Sequence, residues 1–485
     1  MRNGRRWLLL ALVLYVLATW FGVKHGIGAS WRQCDTQAIA RNFLTDGFDP
    51  LRPRVDWRGD TDGAVECEFP LYQLTIACAL AVFGEVEWPG RVLSMLAMVL
   101  ATVALHRLLE LRSGPGGALA GAFVFLCGGH AFMLACRVMP DALSLCFALL
   151  GLVTFVRYLA TGKATSLWLS VAAVGVSALQ KPTSLQIVFL MFVWTALLAK
   201  HRLREPRLWI GACLVLGLVA LWLVHGRALY AETGLTFGVV SGGDTKFPDL
   251  QNLLDPHVHA QLLWTTAQYG MSVFGALALV VLLVRRRFDR ADLAMIVMAA
   301  AGLLGTLRYS YFHGMGPHYH VYAAVAGAWC VARAWPLSAP RWLWVTLVAA
   351  AAVHAGWRLR DERGIAKVSN ESPILEVAAF LRENSAPTSL VIVRSDKPGL
   401  DPEWHRGNNF EDPRLFYQAQ RRGFVLPADG FDVPSLVKLR ARGGRFVYNP
   451  LPAQTSAEVT RWLDDHGEVV LRTPQAVVHR LRSTS

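Results

Sequence analysis

The chain has 485 residues, of which 54% are hydrophobic and 17% charged, with a mean hydropathy of +0.35 and a formal net charge of +13. Soluble chains of this length carry about 25% charged residues, so the deficit points to lipid as the solvent for much of the sequence and argues against an ordinary soluble fold. The basic excess would suggest nucleic acid in a soluble protein; here it gathers in short connections between apolar runs, where it orients helices, and no nucleic-acid partner is expected.

Apolar runs of about 20 residues are candidates to span a bilayer. In chain order they are 7–23, 89–108, 115–135, 141–160, 166–180, 183–199, 208–224, 262–284, 291–307, 319–334 and 342–357, about eleven helices. The first follows Arg2, Arg5 and Arg6 and has only a weak cleavage site after it, so it reads as a retained helix, not a signal peptide. Arg107 and Arg112, Arg157 and Lys163, Lys200 to Arg207, and Arg285 to Arg290 fall in every second connection. By the positive-inside rule that side and the N-terminus are cytoplasmic. The long connections 24–88 and 225–261 then face outward, as does the tail of an odd number of spans, and the protein is expected in the inner (cytoplasmic) membrane.

From about Arg358 the composition turns soluble. A helix from Ser372-Pro373 to Arg382, strands at 389–394 and 423–426, a helix over 434–442 stopped by Gly443-Gly444, a strand at 445–448, a helix capped by Ser456, and a closing hairpin of 468–471 with 476–481 are expected. The predicted architecture is a polytopic α-helical membrane protein with a small C-terminal α/β extracytoplasmic domain. The membrane domain runs over 1–357, its first outer loop 24–88 carrying interfacial helices, and the tail domain over 358–485.

The first outer loop is dense in both charges, from Arg32 and Asp35 to Glu66 and Glu68. A solvated loop can have this composition. Arg137 and Asp141 stand at one outer helix end and Lys181 at the next outer turn. Snorkelling explains any one of them alone; together they fall on one face of the membrane. Cys34 precedes Asp35 and Cys67 precedes Glu68, in a compartment that permits disulfides, so a Cys34–Cys67 bond tying the acidic segments is one expectation and two thiols the other. The outer turn 309–320 is rich in His and Tyr, either an interfacial aromatic belt or a site rim, and its three histidines could bind metal.

Three motifs carry a family resemblance. Trp31-Arg32-Gln33-Cys34-Asp35-Thr36-Gln37 resembles the first-loop acidic motif of the GT-C glycosyltransferases, which include protein O-mannosyltransferases and bacterial enzymes that transfer sugars to lipopolysaccharide. Glu68-Phe69-Pro70-Leu71-Tyr72 resembles their second loop motif, and Val138-Met139-Pro140-Asp141-Ala142 the motif opening their fourth helix. The segment Asp412 to Gly423 resembles tails of the same transferases. The sequence departs from the pattern at Thr36, where many relatives have a second acid, and at Phe69, where many have a lysine.

The resemblance implies an inverting hexosyl- or pentosyltransferase acting at the outer membrane face. Its donor would be a sugar on a polyprenyl phosphate, and its acceptor a hydroxyl of a glycan, lipid or protein. It implies Asp35 as general base, with Glu68 and Asp141 positioning the base, the sugar or a divalent cation. With the lysine missing, Arg137, Lys181 and Arg32 become the donor-phosphate ligands. His318, Tyr319 and His320 would contact substrate. Two other classes compete: a transporter or flippase for a lipid-linked sugar, which would favour paired repeats and broken helices, and a non-catalytic anchor for the tail domain.

Overall fold

The computed structural model describes residues 2–242, 248, 250–310, 317–336, 338–402 and 407–482, with side chains described for all of these except 2, 3, 23, 24, 310 and 317. The chain divides into two compact units. The first comprises Met1–His25, Gly90–Trp222 and Lys246–Gly364; the second comprises Gly26–Pro89, Leu223–Thr245 and Ile365–Ser485.

The first unit is helical. Every apolar run of the sequence lies on helix, including Asp141–Thr161, Ala164–Gln180, Arg290–Gly305 and Val321–Ala334. Helix Trp88–Cys127 carries the run 89–108 and the first part of 115–135, which ends on helix Gly129–Cys136, and it is broken at Gly114, whose φ of 69° lies in the left-handed region. Among the described residues four helices are long and apolar enough to cross a membrane: Gly4–Gly22, Trp88–Cys127, Asp141–Thr161 and Pro206–Thr233. A fifth span results if Pro256–Gly270 and Ser272–Val284, which bend by 109° at their junction, count as one. A π-turn at Thr266–Gly270 and a left-handed Ser272 (φ 60°) make that bend. Large apolar side chains such as Leu221 (69% exposed) and Leu263 (71%) face outward, which suits lipid and not water.

Membrane helices gain little from hydrophobicity against each other and rely on close approach and interhelical hydrogen bonds. Both occur here. A Cβ on Gly151 would lie 2.5 Å from Val174 Cγ2, and Ser170 Oγ donates to the Gly151 carbonyl at 2.8 Å. Ser177 Oγ donates to the Ser144 carbonyl at 2.7 Å, joining the same two helices two turns further along.

The second unit is built on a five-stranded sheet: β1 (Leu390–Arg394), β2 (Arg422–Leu426), β3 (Gly444–Asn449), β4 (Gly467–Arg472) and β5 (Val477–Leu481), in the order β2-β1-β3-β5-β4. The pairs β1–β2 and β1–β3 are parallel, and β3–β5 and β4–β5 antiparallel. The unbroken apolar run Leu-Val-Ile-Val of β1 fits a strand covered on both faces. Ile392 packs against Leu436, Leu439, Val459 and Leu463 of helices Val433–Ala441 and Ala457–His466. Val391 and Val393 face the other way, into a core shared with helix Ile374–Asn384 and with Ile39, Phe43, Val55, Trp57 and Val65 of the long first loop.

The first loop is thus a layer of the sheet domain. Its helix Trp31–Thr45 uses its apolar side, Ile39 and Phe43, inside this core. Backbone at Gly59 donates to the Gly423 carbonyl at 2.6 Å, and Gly423 donates to the Asp56 carbonyl at 3.2 Å, so the loop covers the edge strand β2. Gly59 has φ 59°, and a Cβ there would lie 2.2 Å from the Phe424 ring; no other residue fits the approach. Asp46 pairs with Arg58 at 2.5 Å and Arg422 at 2.6 Å, and Asp60 pairs with Arg442.

Candidate active site

Asp35 lies on helix Trp31–Thr45 and is 2% exposed. Asn42 is seven residues on, two turns along the same helix face. Its amide donates to Asp56 Oδ1 at 2.9 Å and to the Arg54 carbonyl at 2.9 Å, while Arg41 pairs with Asp56 Oδ2 at 2.5 Å. These bonds dock residue 56 on the helix and bring its neighbour Trp57 over Asp35, where the indole Nε1 donates to Asp35 Oδ1 at 2.9 Å. Among the described residues Asp35 Oδ2 accepts no hydrogen bond. Burial pushes the Asp35 carboxyl up to about 8, against the pull of the Trp57 N–H and the Arg32 charge, with Asp412 and Asp56 adding to the push.

Arg32, one turn before Asp35, pairs with Glu68 Oε2 at 3.0 Å, and its guanidinium lies 5.1 Å from the Phe237 ring centroid. Phe237 in turn meets the Trp57 ring edge-on at 5.8 Å. Glu66, 1% exposed, holds the segment that carries Phe237: it accepts from Thr236 Oγ1 at 2.6 Å and from the Val240 amide at 2.9 Å. The tail supplies the remaining neighbours. Lys397 Nζ sits 4.1 Å and Arg414 Cζ 5.5 Å from the Trp31 ring, and Arg414 is held by Asp412 at 2.5 Å.

In the first unit, Asp141 opens helix Asp141–Thr161, where a carboxylate complements the helix dipole. Lys181 Nζ lies 3.5 Å from Asp141 Oδ1. Both line a small cavity with Ser144, Ser184, His318, Tyr319 and Tyr322. A hydroxyl network floors it: Tyr322 donates to Ser184 Oγ at 2.7 Å, and Ser144 Oγ lies 3.0 Å from Ser184 Oγ. Asp141 Oδ2 is buried with no hydrogen-bond partner among the described residues.

The expected site residues therefore gather in two sets, each within its own unit. Arg32, Asp35 and Glu68 stand together in the second, and Asp141, Lys181, His318 and Tyr319 line one cavity in the first. His320 is fully buried beside Thr266 Oγ1, with Nδ1 at 3.4 Å, and does not line that cavity. Arg137 is gripped by both oxygens of Glu362 at 3.1 Å. The stretch 311–316, with His313, lies outside the described residues. Among the described residues no three His, Cys, Asp or Glu side chains gather as a metal ion needs. Cys34 and Cys67 are thiols and not a disulfide: Cys34 Sγ donates to the Gly28 carbonyl at 3.4 Å and Cys67 Sγ to the Glu68 carbonyl at 3.2 Å. Burial pushes both thiols well up, so they stay protonated.

Sequence reasoning missed Trp57, Glu66 and Glu362. Glu66 stood among the loop acids, two residues from Glu68, and nothing in that spacing separates an anchor from a site residue. Glu362 is 225 residues from Arg137.

A family model described as dolichyl-phosphate-mannose-protein mannosyltransferase matches residues 68–225. None of the curated proteins matches the sequence significantly. Among solved structures, ArnT from Cupriavidus metallidurans in the apo state aligns with a TM-score of 0.64 at 15% identity, over 98% of both chains. The same protein bound to undecaprenyl phosphate aligns with a TM-score of 0.60 at 14% identity, over 98% of this chain and 97% of that one. The apo oligosaccharyltransferase of Archaeoglobus fulgidus aligns with a TM-score of 0.57 at 13% identity, over 92% of this chain and 69% of that one. The chain is a multi-pass membrane protein with the fold of the GT-C glycosyltransferases.

Proposed function

We propose that this protein is a GT-C glycosyltransferase that moves a hexose or pentose from a polyprenyl-phosphate donor to a hydroxyl of a glycan, lipid or protein acceptor, with inversion, at the outer face of the cytoplasmic membrane. The observation that carries the reading is Asp35: a buried carboxyl in the first-loop motif, held by one indole N–H and, among the described residues, with its second oxygen unbonded. A structural carboxylate is normally saturated with donors; a base keeps an oxygen for its substrate. The similarity to ArnT, solved with undecaprenyl phosphate bound, supports the donor class.

In this reading Asp35 accepts the acceptor's hydroxyl proton as that oxygen bonds to the anomeric carbon and the bond to the phosphate oxygen breaks. The leaving phosphate is already anionic and needs cations more than an acid. Lys181, Arg137 and Arg32 fill that role, with Arg137 held in place by Glu362. Glu68 fixes Arg32, Asp141 orients Lys181 and sugar hydroxyls, and His318 and Tyr319 contact substrate, while the buried His320, expected beside them, stands behind the cavity wall.

The test is transfer of radiolabelled sugar by purified protein from a panel of polyprenyl-phosphate sugars, beside Asp35→Asn. We expect transfer from at least one donor and a loss of about 10²–10⁴-fold in the variant. Undiminished turnover in Asp35→Asn would remove Asp35 as base.

One observation favours a lipid-linked-sugar transporter instead, the helix broken by 109° at its π-turn, since broken helices recur in transporters. Movement of a labelled lipid-linked sugar across proteoliposomes without chemical transfer would decide for it.

A further inference from the structure

The geometry points to Trp57 as the positioning residue of Asp35: its indole N–H fixes Oδ1 and leaves Oδ2 as the oxygen that receives the acceptor proton. This inference rests on the reading of Asp35 as base, and it adds a residue that no part of the first-loop motif contains.

Three features argue that the contact is built and not incidental. The indole is 4% exposed and cannot trade its N–H bond for water, so a donor there must have a protein partner. Its backbone is fixed immediately upstream, where Asp56 takes both Arg41 and Asn42. Its ring is fixed on the other side by Phe237, whose segment hangs from Glu66 and whose face carries Arg32. Donor and acceptor are thus each held by separate bonds, and the 2.9 Å distance between them does not depend on either side chain finding the other.

The chemistry follows from which oxygen is used. In the transfer step the acceptor O–H bond breaks, its proton goes to Asp35 Oδ2, the acceptor oxygen bonds to the anomeric carbon, and polyprenyl phosphate leaves with the electron pair. A donor fixed on Oδ1 has two effects. It orients the carboxylate plane, and it favours the ionised form, the only form that can take the proton. The charged groups that bear on Asp35 are Arg32 on its own helix, Asp56 beside Trp57 and Asp412 in the tail, with the Cys34 thiol adjacent. Arg32 acts with the indole; Asp56 and Asp412 act against it.

The experiment follows the thermal midpoint of the purified full-length protein from pH 5 to 9 for the wild type, Trp57→Phe, Asp35→Asn and the double variant, together with kcat and KM for whichever donor of the panel supports transfer. Phenylalanine keeps an aromatic ring and loses the N–H. Should Trp57→Phe not fold, 3-benzothienylalanine at position 57 keeps the indole shape with sulfur in place of N–H. We expect the midpoint loss to grow with pH while Asp35 is present, and that pH-dependent part to vanish in the Asp35→Asn background. The pH–rate curve should move up by about one unit or more, and kcat at pH 7 should fall roughly tenfold with KM unchanged. A midpoint loss equal at every pH, with and without Asp35, would make Trp57 a packing residue only. These midpoints need no substrate, so they judge the Trp57 contact even if no donor is ever turned over. Failure of transfer with an intact pH-linked contact would fall on the functional reading alone.

Discussion

Two buried carboxylates in this chain are treated in opposite ways. Asp292, in the first unit, is fully buried at the start of helix Arg290–Gly305 and is saturated. Trp329 Nε1 and Arg333 Nε each donate to its Oδ1 at 2.9 Å, Arg333 Nε also reaches Oδ2 at 3.2 Å, and Oδ2 accepts the Asp289 backbone amide at 3.1 Å. Asp35, in the second unit, also takes an indole N–H, but among the described residues that is its one hydrogen bond, and the nearby Arg32 pairs with Glu68. The same donor type therefore serves two purposes. A carboxylate with every lone pair used is fixed in charge and place; one with a single fixed oxygen is placed but still able to take a proton. That contrast, more than burial itself, separates a structural acid from a base.

Substitutions at and around these acids should separate their roles. The largest effect is expected at Asp292: Asp292→Ala strips Arg333 and Trp329 of their acceptor and should cost about 3 kcal/mol of stability, read as a lowered thermal midpoint, while any protein that remains folded keeps its turnover. Next comes Lys181→Ala, which removes a cation from the cavity of Asp141. It should raise the donor KM roughly tenfold to a hundredfold with a smaller change in kcat, measured by transfer kinetics. A loss confined to kcat would take Lys181 away from the phosphate.

Smaller still is the effect of Asp35→Asn on stability, and its sign is opposite to that of Asp292→Ala. The folded carboxyl titrates near 8, above its unfolded value, so its favourable contribution is complete below about pH 4 and is lost as pH rises through about 8. Asp35→Asn has no charge to lose and should gain on the wild type from pH 5 to about 8 and hold level above it in melting experiments. A gap that stays constant or narrows would mean that Asp35 is not desolvated. The least effect is expected at Cys34 and Cys67, which are thiols: reductant, or Cys67→Ser, should leave the thermal midpoint nearly unchanged, and mass spectrometry should find both alkylated in denatured, non-reduced protein.

Much of the tail was legible because local signals set its elements. Ser456 caps its helix by accepting the Val459 amide at 3.3 Å, Gly443-Gly444 ends a helix and opens β3, and the turn at Thr473 closes β4 on β5. The helical runs of the first unit were legible from their length and lack of charge. What the sequence did not disclose is how the first loop is used. Its apolar positions Ile39 and Phe43 have helical spacing, which says that one side is buried but not against what; the partner proved to be a sheet more than 300 residues later in the chain. The site was half legible for the same reason. Asp35, Glu68 and Asp141 announce themselves by motif, whereas Trp57 is one of 17 tryptophans in an aperiodic stretch, and its role follows only from Asn42 and Arg41 holding Asp56 beside it.

The central claim is that Asp35 is the base, and the most direct measurement is the pH dependence of sugar transfer by the purified protein at saturating donor, from pH 5 to 10. A base works only when deprotonated, so the rate should climb with pH and level off with a midpoint near 8, and the residual rate of Asp35→Asn should not show that rise. A wild-type rate that is flat across the range, or a rise preserved in Asp35→Asn, would contradict the account.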